Sequence, residues 1–150
     1  MIATLLMLAA VETAAPAMDD FKALCVSTRG DVAAVTAAAA ARGTWGVPAQ
    51  QDGMTAWTHT GAGVERILVA GEQVADGAAR QACMITTRPV QSELAASAPT
   101  ALGGVTMPVD AAAGLYAHAP STDAYRAGDV TFISITSDAE STSLTAIRNK

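Results

Sequence analysis

His59 and His118 are the two histidines of this 150-residue chain, and each stands two residues from an aromatic side chain in a stretch that reads as a strand. Side chains two apart on a strand point the same way, so His59 would share a face with Thr55 and Trp57, and His118 with Tyr116. An imidazole in such a setting can line a small binding pocket, or act as general base toward a serine or threonine hydroxyl. Trp57, His59, Tyr116 and His118 are therefore the candidate site residues. The simpler alternative is a half-exposed histidine near a strand end, with Trp45 and Trp57 serving as core residues. No motif completes a catalytic set. The chain contains no GxSxG, HExxH, GxxxxGK[ST] or CxxC sequence and no EF-hand loop. Gly61-Ala62-Gly63-Val64-Glu65-Arg66 has two glycines of a dinucleotide fingerprint, but Arg66 takes the third place and a strand follows, so it reads as a turn. A zinc site would have to recruit carboxylates such as Asp52 or Asp123, and nothing in the spacing suggests it. No metal and no cofactor is expected.

Cys25 and Cys83 are the only cysteines. In an exported chain an even count reads first as a disulfide, because oxidising compartments favour the bond and small cores benefit from it. The alternatives are two buried free thiols or one nucleophilic cysteine. Asp123-Ala124-Tyr125-Arg126-Ala127-Gly128-Asp129 is the densest polar segment, with Tyr and Arg together as at many contact surfaces. A solvated loop is the plainer reading of it.

Composition limits the classes open to the chain. Apolar residues make up 51%, but 35 of them are alanine, leaving 41 larger side chains for a core. Charged residues are 15% and the net charge is −5, which argues against a disordered polyelectrolyte. The nine Lys and Arg residues are scattered singly between Lys22 and Lys150, so no basic run offers itself to a row of phosphates. Nucleic acid is excluded as the expected partner.

The elements that must position these residues follow from periodicity. Phe21, Leu24 and Cys25 have helical spacing over Met18 to Val26. Asp31 to Arg42 is the strongest helix by propensity, with Val32, Val35 and Ala39 facing inward and Gly43 as its stop. Thr28 and Asp31 have capping-box spacing. Strands are expected over 52–60, 64–70 and 80–88, joined by turns at 61–63 and 71–77. A helix over 92–101 begins at Ser92 and is limited by Pro99. Further strands are expected over 113–119, 129–137 and 143–148. The order predicts an α+β domain: a mainly antiparallel sheet of five to six strands with helices on one face. No repeat of 20–50 residues is evident.

The N-terminal stretch bears on location. Ile2 to Val11 is an apolar run of ten, which at ~1.5 Å per residue covers about half a bilayer core. The small-residue sequence Ala15-Pro16-Ala17 follows it with the A-x-A cleavage pattern, although no Lys or Arg precedes the run. Residues 1–17 are thus expected to be a signal peptide and 18–150 a single domain, the alternative being an N-terminal buried helix. The mature chain would have no transmembrane segment. The segment Phe21-x-x-x-Cys25-Val26-x-Thr28-x-Gly30-Asp31, an Ala-rich helix and Gly43-Thr44-Trp45 together resemble the start of small uncharacterised exported proteins of proteobacteria. That resemblance implies export and a pairing role for Cys25, and no activity. The expectation is a periplasmic or secreted, non-catalytic binding or interaction module for a protein or small ligand. A small hydrolase using His59 or His118, and a structural envelope protein, are the rivals.

Overall fold

The computed structural model describes residues 15–61 and 63–150. The expected signal peptide lies outside the described residues except at 15–17, which open the first helix. That helix, α1 (Ala15–Phe21), runs directly into a π-helical turn, Lys22–Val26. The turn ends in a tight reversal where Arg29 (φ 58°) and Gly30 (φ 71°) both take left-handed backbone. Helix α2 (Val32–Arg42) follows, starting and stopping as its sequence dictates. The Asp31 carboxylate accepts from the Ala34 amide at 2.9 Å, and Gly43 supplies the left-handed residue past the last turn. Thr28 takes no part in this cap. Its hydroxyl donates back to Leu24 O at 2.6 Å, so the expected capping box is replaced by a single aspartate cap.

Eight strands form one antiparallel sheet: β1 (Ala49–Gln51), β2 (Met54–Gly61), β3 (Val64–Ala75), β4 (Ala78–Arg88), β5 (Val105–Asp110), β6 (Leu115–Ala119), β7 (Thr131–Ser137) and β8 (Thr142–Asn149). Their order is β1-β2-β3-β4-β8-β7-β6-β5. Two four-stranded meanders therefore meet at the β4–β8 pair, each preceded in the chain by helix. The expected five to six strands fell short because both missed strands lie at the sheet's edges. Ala49–Gln51 has no β-branched residue, and Val105–Asp110 contains Pro108, tolerated where no neighbour needs its missing N–H. The anticipated 71–77 turn is also shorter than expected. Strands β3 and β4 pair through Ala75 and Ala78, leaving Asp76 and Gly77 between them.

Helix α3 (Leu94–Leu102) occupies the expected place but begins after Glu93, without the Ser92 cap. A fourth helix, α4 (Thr122–Arg126), occupies the polar segment read as loop, with Ser121 Oγ accepting from the Ala124 amide at 3.1 Å. Residues of α1, the π-turn, α2 and α3 share one core with alternate residues of the sheet. Phe21, Leu24, Val35, Leu94 and Leu102 meet Trp57, Leu68, Ile85, Leu144 and Ile133. Val35 and Ala39 are buried as expected, whereas Val32 is only partly covered. Cys25 and Cys83 form a disulfide that ties the π-turn to β4. No helix among the described residues is long and apolar enough to cross a membrane.

Candidate functional site

The four expected site residues all belong to the helix-facing side of the sheet, yet the structure does not bring them together. From β2 to β6 there are five strand steps in the sheet order, about 24 Å at ~4.8 Å per step. Trp57 is 2% exposed and packed in the core. Tyr116 is also buried and its hydroxyl donates to Ala95 O at 2.8 Å, fastening α3 to β6. His59 sits against Trp45, with ring centroids 5.4 Å apart. Beside them, Asp20 receives Arg42 at 2.7 Å and Arg66 at 3.1 Å, a buried cluster that holds α1 to α2 and β3. Burial pushes the Asp20 carboxyl up, and the two guanidiniums pull against it.

His118 alone of the four lines a substantial cleft, of about 490 Å³, within the size range of small-molecule sites at roughly 300–1,000 Å³. Five segments build it. The π-turn and the reversal after it contribute Lys22, Ser27 and Arg29, the end of α3 contributes Gly103 and Gly104, and His118 stands near the end of β6. Asp129, just before β7, and Arg148 of β8 complete the polar wall. Gly104 (φ 56°) is required there, since a Cβ on it would lie 2.4 Å from Ala119 O.

Charge in the cleft is unbalanced. Asp129 is held by Arg29 at 3.0 Å and also by Arg148, which keep its carboxyl below the usual range. Among the described residues Lys22 Nζ meets a carbonyl, Ala101 O at 3.4 Å, near the C-terminus of α3. Three permanent cations thus face one carboxylate in a chain whose net charge is −5.

The protonation state of His118 follows from its partners. Its Nδ1 lies 2.9 Å from Thr106 Oγ1, and Thr106 Oγ1 lies 3.1 Å from Gly103 O. A carbonyl can only accept, so the threonine's one hydrogen goes to Gly103 and Nδ1–H donates to the threonine. The Nε2 lone pair is left over, with no bond to any described residue. Burial first, and Lys22 second, hold the imidazole below its ordinary value of 6.5, so it is neutral at pH 7. The Thr106 hydroxyl, which already donates to a carbonyl, is not set up to lose its proton to this histidine.

This tautomer has a consequence for stability. The unfolded histidine takes up its proton near pH 6.5, whereas the folded one does so only at lower pH. Stability is therefore expected to fall as pH drops below about 6.5, levelling once the folded imidazole is also protonated. Urea midpoints at pH 7.5 and 5.5 check this. His118→Asn should show a smaller loss than the parent, and an identical loss would show that His118 makes no contribution.

The opposite sheet face has a different character. Phe132 (51% exposed), Met107, Val109 and Leu115 are open to solvent, and Val109, Leu115, Phe132 and Ile147, with Tyr116 of the predicted site residues, line an apolar hollow of about 240 Å³.

Sequence reasoning missed Lys22, Arg29, Asp129 and Arg148 as a group, because Asp129 and Arg148 lie far along the chain from Lys22 and Arg29 and from each other. Among the described residues no group of three or more His, Cys, Asp and Glu could hold a metal ion. Compared with known proteins, the chain matches no family model, no curated protein and no solved structure.

Proposed function

We propose that this protein is an exported binding module, periplasmic or secreted, whose cleft between the π-turn, α3 and the β6–β7–β8 corner takes a small anionic ligand. The observation that carries the reading is the concentration of Lys22, Arg29 and Arg148 around one carboxylate in an acidic chain. Cations converging on a concave surface attract anions more strongly than the same charges spread over a surface. The cleft's volume of about 490 Å³ is in the range of small-molecule sites, which favours a small anion over a row of phosphates. Export is supported by the Cys25–Cys83 disulfide, by the A-x-A pattern at residues 15–17, and by the resemblance of Phe21 to Trp45 to small exported proteins. Binding without catalysis is favoured over hydrolysis because the hydroxyl nearest His118 donates to a carbonyl instead of being activated.

Calorimetric titration of phosphate, sulfate and citrate into the oxidised protein at low ionic strength tests the reading. One site is expected, and Lys22→Gln, which can still bond Ala101 O, should weaken it at least about tenfold through loss of a charge-assisted bond. Absence of binding by all three anions, or equal affinities in parent and variant, overturns it.

A further inference from the structure

We propose that the cleft selects an organic anion that also carries a hydroxyl, with the anionic group held by the Lys22, Arg29 and Arg148 cations and the hydroxyl donating to His118 Nε2. This rests on the anion-binding reading and adds the ligand's second functional group.

Lys22, Arg29 and Arg148 can only donate, so they recognise acceptor oxygens and are blind to a ligand's own donors. Asp129 is an acceptor by type, but Arg29 engages one carboxylate oxygen and Arg148 the other. The Ser27 and Thr131 hydroxyls in the lining can donate as well as accept, whereas His118 Nε2 is a neutral group that only accepts. The chain Nδ1–H to Thr106 Oγ1 to Gly103 O commits the ring's only proton to Nδ1 and leaves the Nε2 lone pair free to accept. At 5% exposure the imidazole has little access to bulk water, so a ligand that covers the cleft without offering a donor leaves Nε2 unpaired. A site built this way discriminates against analogues that lack the hydroxyl more sharply than an apolar pocket discriminates by size. Lys22 and His118 line the same cleft, so a cation and a neutral acceptor are both available to one ligand. The volume of about 490 Å³ accommodates an organic skeleton that places the two groups together, and a bare oxyanion would leave most of it to water. The anionic group can be a carboxylate or a phosphate monoester; the shared chemistry is an oxyanion with a neighbouring hydroxyl.

The test uses two ligand pairs matched in chain length and charge: glycerate with propionate, and glycerol phosphate with propyl phosphate. Each is titrated by calorimetry into the oxidised, full-length protein at pH 7.5. The hydroxylated member of at least one pair is expected to bind about tenfold or more tightly than its partner. The pair showing the larger preference identifies the anionic group. In His118→Asn, which keeps a donor for Thr106 but has no acceptor at the Nε2 position, the preference within each pair should vanish. Equal affinities within both pairs, or a preference that survives His118→Asn, overturn this inference and leave the anion reading standing. Failure of all four ligands to bind overturns the anion reading itself. If His118→Asn does not fold, Thr106→Val takes its place. It frees the Nδ1 proton and is expected to shrink the preference at least about threefold, consistent with loss of one hydrogen bond; an unchanged preference overturns the inference.

Discussion

Replacing Cys25 and Cys83 together by alanine is expected to lower the free energy of unfolding by about 4 kcal/mol. The two residues are 58 apart in sequence, and the chain-entropy model assigns roughly that amount to a cross-link closing a loop of this size. Typical domains have a total of about 5–15 kcal/mol, so the bond carries a large share. Its position raises its importance. Cys25 belongs to the π-turn that begins the cleft wall and Cys83 to β4, next to the joint between the two meanders. Both are fully buried, and the bond passes directly beneath the helix layer. Urea unfolding of the parent and the double variant, with and without reductant, measures the loss. Reductant should bring the parent close to the variant and leave the variant unchanged. A difference below about 1 kcal/mol would show that the helix layer is held by packing alone, against the loop-closure expectation.

Trp57→Ala is expected to cost about 3–5 kcal/mol, the range for removing a large buried aromatic ring. Trp57 is 2% exposed on β2 and pairs in register with Leu68 of β3, within the same core as Phe21 and Ile85. Few other side chains in this alanine-rich protein can fill the space it would leave, since the chain has two tryptophans, two phenylalanines and two tyrosines. The effect should fall on stability and not on the cleft, which lies several strands away in the sheet order. Thermal unfolding combined with anion titration of the surviving folded fraction separates the two. A normal unfolding temperature with weakened ligand binding would restore Trp57 to the binding surface and refute its assignment to the core.

The elements read most directly from sequence are those whose signal is local. Helix α2 announces itself through a run of alanines, an aspartate before it and a glycine after it, and each of these acts on its own backbone neighbourhood. The central strands β3, β4, β7 and β8 are rich in β-branched residues, and over much of their length more and less buried positions alternate because one face meets the helices. Edge strands lack that signal. β1 is exposed throughout and β5 is half-exposed with a proline inside it, so neither carries a buried face to betray it. The symmetric arrangement of the two meanders is similarly hidden. Their pairing matches backbone hydrogen bonds, which any side chains of suitable shape can support, and no repeated motif is needed.

His118 was legible as a candidate because its type and its neighbour Tyr116 are local facts. Its role was not. Tyr116 is bonded to Ala95 and supports α3, while the partners that give His118 a defined tautomer and a charged setting, Thr106, Gly103 and Lys22, arrive from other elements. His59 is equally visible in sequence, but the fold places it by Trp45 and the Asp20 ion cluster at the other end of the sheet.

By itself, the sequence determined the antiparallel α+β class, helix α2 and the one possible pairing of two cysteines within the chain. Each depends on side-chain period, on a cap within a few residues, or on simple counting. Tertiary structure alone decided the cleft. Lys22, Arg29, Asp129 and Arg148 come from separate stretches of a sparsely charged chain, and they become a cationic pocket only when the β4–β8 joint brings the C-terminal meander beneath the N-terminal helices. Coulomb interactions depend on distance in space and leave no period in sequence, so a cluster drawn from five segments has no local signature to read.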